Sequence, residues 1–573
     1  MAGGIEALVA LVRDGSPDGK AMAAELLRDL ADDHDERKES IASAGGIEVL
    51  VALVRDGSLY GKEIAAGALM ILSANHEARS AAVAAGGGIK ALVRLVRDGS
   101  LDCKEIAAGA LRILSANHEG RSALVLAAGG IEALVALARD GSPDGKSEAA
   151  AVLRILADCH DERKASIAAA GGVEALVALV RDGSPDGKAT AAAVLWILAK
   201  NDHGTQASIM AAGGIETLVA LVRDGSPDGK ATAARVLGHL AYTDDGRKAS
   251  IAAAGGIEAL VALVRDGSLA RDGRLDGKAA AMMVLGFLAE NGDGEKALIA
   301  LAGGIEALVA LVRDGSPDGK AMAAELLLDL AEDHDERKES IASAGGIEAL
   351  VALVRDGSLE GKAVAAELLH DLADDHDERK ESIASAGGIE VLVALVRDGS
   401  LYGKEIAAGS LRILSANHEG RSALVLAAGG IEALVALARD GLPDGKSQAA
   451  AVLCNLADGH DERKASIAAA GGIEALVALA QDGSPRGKPR AAMALRNLAY
   501  NHAGRRAAVA AAGGIKALVR LVRDGSPSGK AAAAGALGSL SFNRDGRSVS
   551  IAAAGGIEAL VALVSEGPLD GKS

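Results

Sequence analysis

Apolar residues recur along the chain in short helical stripes separated by polar, glycine-rich breaks. Ile5, Leu8, Val9 and Val12 have the i, i+3, i+4, i+7 spacing of a helix buried on one side, and Leu11 widens the stripe. Asp14-Gly15 ends it, with glycine expected to take the left-handed conformation just past a helix end. Ser16-Pro17 opens a second helix, Ser as N-cap and Pro at the first helical position, where its missing N–H costs nothing. Ala23, Leu26, Leu27 and Leu30 carry that helix to about Ala31. In the polar stretch that follows, Asp33 and Glu36 have the spacing of a capping box. A shorter third helix then turns Ile41 inward and ends near Ala44, and Gly45-Gly46 bends the chain sharply.

The same three-helix pattern returns throughout. The third residue of the Gly-Gly-Ile(Val) motif falls at Ile5, Ile47, Ile89 and onward to Ile557, every step being 42 residues except the 48 between Ile257 and Ile305. This period predicts a single all-α solenoid over residues 1–573, with thirteen full repeats and a partial terminal one. A helix with one apolar face cannot bury that face alone, so the repeats must stack. The longer step places six extra residues near 269–275, in the loop between the first and second helices of repeat seven, where insertion is cheap. Residues 302–331 nearly copy 2–31, and 413–441 nearly copy 113–141. Such duplication makes recurrence of a residue weak evidence that function requires it.

Composition narrows the function. The chain is 50% hydrophobic but only 1% aromatic, so its core is aliphatic. A net charge of −17, with no block of Lys or Arg, argues against nucleic acid as partner. Cys103, Cys159 and Cys454 are too far apart in sequence for a disulfide framework or a thiolate metal cluster. The apolar runs fall well short of the roughly 20 residues of a membrane span. Met1-Ala2-Gly3-Gly4 has neither a basic secretory n-region nor glycine at the myristoylation position. A soluble cytoplasmic or nuclear protein is expected.

The residues quoted above resemble the armadillo repeat, best seen in Ala-Met-Ala-Leu-Arg-Asn-Leu-Ala at 492–499 and the following Asn-His-x-Gly-Arg. Gly-Ser-Pro-Arg-Gly-Lys at 483–488 is similar to the armadillo units of plant U-box proteins, although no segment outside the repeats encodes a U-box. The resemblance implies a right-handed superhelix whose concave groove is lined by the Ser-Pro-initiated second helix. It also implies a role in holding other proteins.

In peptide-binding relatives such as importin-α, the groove helix presents Trp and, four residues later, an Asn that holds the peptide backbone; i and i+4 share one helical face. Mapped by that resemblance, the Asn position keeps only Asn455 and Asn497, and the sole tryptophan, Trp196, is not at the Trp position. Repeats two to five instead place Ile71, Ile113, Ile155 and Ile197 there, beside Gly or Ala. These form a candidate apolar groove if exposed, or part of the core if the helices rotate. Repeats one, eight and nine place paired acids: Glu25 with Asp29, Glu325 with Asp329, and Glu367 with Asp371. Such carboxylates would attract a basic partner, or else form an ordinary solvated face.

Catalytic readings fail on spacing. Gly145-Lys146-Ser147 with Gly141 upstream is one residue short of a phosphate loop and follows a helix. The histidines that recur with the repeat, His34, His76 and their equivalents, would sit roughly 8–10 Å apart, too far to share a metal ion. They read as first-turn residues beside an Asp or Asn cap. No nucleophile, base and orienting residue can be grouped without assuming long-range contacts. The expectation is a non-catalytic scaffold or adaptor without metal or cofactor, binding an extended partner. A receptor for basic peptides and a structural polymer joined through its uncapped ends are the alternatives.

Overall fold

The computed structural model describes residues 2–565 except 33, 117, 159, 243, 267–276, 375 and 542–546. The six extra residues of repeat seven, together with Asp33 and Cys159, lie outside the described residues. Among those described, every regular element is an α-helix. The chain forms two compact units, Met1–Ala302 and Gly303–Ser573, each built from the same three-helix repeat.

Helix boundaries follow local chemistry. The first repeat runs Ala2–Asp14, Pro17–Ala31 and Asp35–Ser43. Ser16 has extended backbone and accepts the Gly19 N–H at 3.2 Å, an N-cap of the kind whose removal costs about 1 kcal/mol. Lys20 Nζ donates to the Arg13 carbonyl at 2.8 Å, which satisfies an orphan acceptor at the end of the preceding helix. The recurrent Gly-Lys pair thus lies inside a helix. Gly145 N–H itself donates to Ser142 Oγ at 3.0 Å and is unavailable to a phosphate.

Two local expectations need correction. The glycine after Arg-Asp is not left-handed: Gly57 has φ −75° and ψ 175°. Glycine stands there because an added Cβ would meet the Leu53 carbonyl oxygen at 2.5 Å and Leu53 Cδ1 at 2.6 Å. In the third helix the N-cap is His34, not Asp33, and His34 makes no side-chain cap bond. His76, His118, His418 and His502 do cap, each Nδ1 accepting the N–H three residues on at 3.1–3.3 Å.

The Gly-Gly turn divides its work between two residues. Gly45 takes φ +79°, the left-handed region glycine enters without strain. Gly46 is helical, but a Cβ on it would lie 2.5 Å from Ile41 Cγ2 and 2.6 Å from the Ile41 carbonyl oxygen. This close approach bends third helix onto first helix by about 80°, as between Glu119–Ala127 and Gly130–Asp140.

Packing then separates the three helices. First helices such as Gly46–Asp56 are buried on most sides through Ile47, Leu50, Val51, Leu53 and Val54. Leu11, in contrast to its counterpart Leu53, is exposed. Second helices such as Leu59–Ser73 bury a small-residue run, Ala65, Ala66, Gly67 and Ala68, which lets each lie closely on its neighbours along the unit. Third helices contribute one buried aliphatic residue, Ile41 or its equivalent, and in many repeats a buried arginine such as Arg379. Arg379 donates Nε to the Leu372 carbonyl at 2.7 Å and Nη2 to Asp335 of the preceding repeat at 2.9 Å. A buried guanidinium needs such partners, so this arrangement fixes the register of one repeat on the next. The arginine of Arg-Asp-Gly adds a second tie: Arg97 Nη2 donates to the Ala128 and Gly129 carbonyls of the following turn at 3.3 Å.

Candidate functional site

Within each unit the second helices form a continuous layer, and one stripe of each helix stays open to solvent. The isoleucines at the equivalent position, Ile71, Ile113, Ile155 and Ile197, are all half-buried, so they are neither core residues nor freely exposed. Their later copy differs, since Ile413 is only 9% exposed. Glycines four residues earlier form notches in this surface, filled from the neighbouring helices. A Cβ at Gly109 would meet Met70 Sδ at 3.2 Å and Glu148 Cδ at 3.7 Å.

The acidic pairs are less available than their charge suggests. In repeat one, Arg28 Nη2 lies 3.0 Å from Asp29 Oδ1 and 3.7 Å from Glu25 Oε1, and Tyr60 donates its hydroxyl to Glu25 Oε2 at 3.1 Å. In repeat nine, Tyr402 donates to Glu367 Oε2 at 2.9 Å; burial and this bond push the phenol up to about 12. Burial raises the Asp371 carboxyl above its ordinary value, against the opposing pull of His370 and Lys338. Glu325 of repeat eight is exposed and Asp329 is half-buried.

The two ladder asparagines turn inward. Asn455 Nδ2 donates to the Arg412 carbonyl at 3.2 Å, and Asn497 Nδ2 donates to the Cys454 carbonyl at 3.3 Å. Each ties one second helix to the one before it. Burial pushes the Cys454 thiol up to about 11, which leaves it protonated and unreactive at neutral pH.

Sequence reasoning missed two groupings on this layer. Arg235 Cζ sits 3.6 Å from the Trp196 ring centroid, a cation–π contact between successive second helices, and His239 lies 6.0 Å from the same ring. Tyr242 and Phe287 extend the group edge to face, with ring centroids 5.3 Å apart. Burial, then the charges of Lys200 and Arg235, holds the His239 imidazole below its ordinary value. The second grouping joins Arg412, Gln448 and Arg490: Gln448 Oε1 accepts from Arg412 Nε and from Arg490 Nη1, each at 3.1 Å. Register between repeats, not local periodicity, creates both.

With this geometry in place, known proteins give a consistent picture. A family model described as the plant U-box protein ARM repeat region matches residues 2–139 and 237–439, more than half of the chain. The chain belongs to this armadillo-repeat family. The model of the armadillo/beta-catenin-like repeat also matches residues 502–542. An engineered protein of known crystal structure is 30% identical over 72% of this chain and 99% of its own, with a TM-score of 0.59. A structure described by a conserved phosphorylation switch controlling the interaction between cadherin and beta-catenin superposes with a TM-score of 0.63. It is 19% identical over 90% of this chain and 98% of its own, a likeness that concerns the fold alone. A comparison with curated proteins gives no match. The family assignment agrees with an all-α armadillo solenoid as the fold of this chain.

Proposed function

We propose that the chain is a non-catalytic protein-interaction scaffold that holds an extended partner segment along the layer of second helices. The observation that carries this reading is the row of four half-buried isoleucines, Ile71, Ile113, Ile155 and Ile197, at one register on successive helices. Partly accessible apolar side chains, repeated at the helix spacing and flanked by Gly or Ala notches, suit a partner that inserts side chains at intervals. With so few aromatics, affinity would be spread over many contacts; Trp196 and Arg235 are the residue types that most often dominate an interface.

A receptor for basic peptides is a weaker reading. Arg28 and Tyr60 already engage the acids of repeat one, and Asn455 and Asn497 spend their amide donors on neighbouring backbone.

The test places a photo-crosslinking amino acid at Ile113 or Ile155, with exposed Ala165 of a third helix as the comparison site. Proteins trapped from a eukaryotic lysate at the isoleucine positions and not at Ala165 are expected, and Ile113→Asp with Ile155→Asp should release them. Equal trapping at Ala165, or retention of the same partners by the helical double variant, overturns the assignment.

A further inference from the structure

The duplication inside the chain supplies an internal control for one part of the second-helix layer. In repeats three and four, Arg112 Nε lies 2.6 Å from Glu148 Oε2 and its Nη2 lies 3.4 Å from Glu148 Oε1, so the guanidinium is neutralised where it stands. In the later copy Arg412 occupies the position of Arg112, but Gln448 replaces Glu148 and Arg490 replaces Thr190. The shape of the acceptor is kept while its charge is lost, and a second cation is brought to it. Gln448 Oε1 takes a hydrogen bond from Arg412 and another from Arg490, so both guanidiniums converge on one neutral oxygen, within the span of a single oxyanion.

Two more arginines extend the cation row. Arg486 stands at the N-cap of the helix Gly487–Ala499, and Arg496 lies on that helix beyond Arg490. Among the described residues, none of these four arginines forms an ion pair. Burial lowers the affinity of Arg490 for the proton; the charges of Arg412 and Arg486 lower it further by repulsion, and Asp444 opposes them. Arg412 also faces His370, beside which stand Asp371, Asp374 and Glu367. Met493 is 41% exposed and Tyr500 58% exposed beside Arg496, giving apolar surface next to the charge.

We propose that repeats ten to twelve bind an acidic stretch of an extended partner protein, with one carboxylate side chain gripped between Arg412 and Arg490 and further carboxylates along Arg486 and Arg496. This rests on the scaffold reading above and adds the chemistry of the partner. An incoming carboxylate does for this pair what Glu148 does for Arg112. A peptide carboxylate is the occupant this pair fits because the earlier copy already holds a protein carboxylate, Glu148, against Arg112 at the position where Gln448 now stands.

The test uses the full chain and two fluorescein-labelled peptides, one alternating Glu with Gly and the other alternating Gln with Gly, read by fluorescence anisotropy. The Glu peptide is expected to bind, more weakly as salt rises, and the Gln peptide to bind at least about tenfold more weakly. Gln448→Glu, whose fold has a precedent at Glu148, should weaken the Glu peptide at least about tenfold by returning an internal carboxylate to the pair. Arg490→Thr, which restores the residue of the earlier copy, should do the same. Failure of the Glu peptide to bind, equal binding of the two peptides, or indifference to Gln448→Glu in a chain of unchanged helicity each overturns the proposal. None of these outcomes touches the crosslinking result at Ile113 and Ile155, which decides the scaffold reading separately.

Discussion

Arg505 sets its Nη2 2.7 Å from Oδ1 of Asp461, on the third helix of the repeat before it, while its Nε holds the Leu498 carbonyl at 2.8 Å. The guanidinium is buried and the carboxylate exposed, so the pair joins two repeats at the edge of the stack. Asp461 is held below the usual carboxylate range by the hydrogen bond from Arg505, and Asp335, Glu77 and Glu119 are lowered in the same way by Arg379, Arg121 and Arg163. A lowered carboxylate contributes stability that is fully present above its unfolded value, 3.8 for Asp and 4.5 for Glu, and is lost as pH falls through the folded value. These carboxylates should therefore add a decline in the urea midpoint below about pH 4.5. Asp461→Asn should lower the midpoint at neutral pH, and the gap from the parent chain should close as pH falls through the lowered Asp461 value. A gap that persists unchanged in acid would show that the charge of Asp461 contributes nothing.

Glycine substitutions should separate by position. At Gly172 a Cβ would meet Ile167 Cγ2 and the Ile167 carbonyl oxygen, both at 2.6 Å. Backbone cannot give way cheaply, so Gly172→Ala should destabilise by about 1–3 kcal/mol. Gly286, in the helix Gly277–Ala289, has nothing within 4 Å of an added Cβ. There Gly286→Ala should stabilise by about 0.5–1 kcal/mol, since alanine loses less backbone freedom on entering a helix. Opposite shifts of the two midpoints in denaturant unfolding are expected, and shifts of the same sign would contradict the assigned roles.

These cases also show what the sequence could and could not reveal. Ser16-Pro17 and Gly45-Gly46 act within a few residues of themselves, so the first repeat's helix boundaries were legible, and a 42-residue period made stacking inevitable. Gly15 was misread because its glycine requirement comes from a carbonyl oxygen closing on it, that of Leu11, as Leu53 closes on Gly57, which no local pattern announces. The candidate site depends on contacts between repeats. Arg235 meets Trp196 across 39 residues and Arg412 meets Gln448 across 36, separations set by helix stacking. Ile113 and Ile413 hold the same position in copied repeats yet differ in burial, so position alone did not determine exposure.

Repeat eleven lacks a cap that the chain uses elsewhere. Leu442 occupies the N-cap of the helix Pro443–Leu456 with backbone φ −66° and ψ 159°, matching the φ −62° and ψ 160° of Ser142, and it makes no side-chain bond. Its side chain is 45% exposed, so little packing is lost on replacement. Leu442→Ser should let a hydroxyl accept the Gly445 N–H, as Ser142 does for Gly145, and stabilise the chain by about 1 kcal/mol. An unchanged or lower urea midpoint would mean that the leucine makes contacts the serine cannot replace.

Trp196 is the only tryptophan in the chain, which makes its emission a local reporter on the second-helix layer. His239 lies 6.0 Å away, and burial together with Lys200 and Arg235 keeps its imidazole neutral to below the ordinary value of 6.5. A protonated imidazole quenches a nearby indole, whereas the neutral ring does so weakly. Emission should therefore be flat across neutral pH and fall in a step whose midpoint lies below 6.5. Because His239 gains a proton less readily when folded, its contribution to stability is fully present above the unfolded value of 6.5 and is lost as pH falls from there through the lower folded value, the direction opposite to a histidine that gains a carboxylate partner. His239→Asn should abolish the emission step while leaving helicity unchanged. Arg235→Gln should move the midpoint upward, since it removes one of the two cations that oppose protonation. A step that survives in His239→Asn would assign the quenching to another group and separate Trp196 from this histidine.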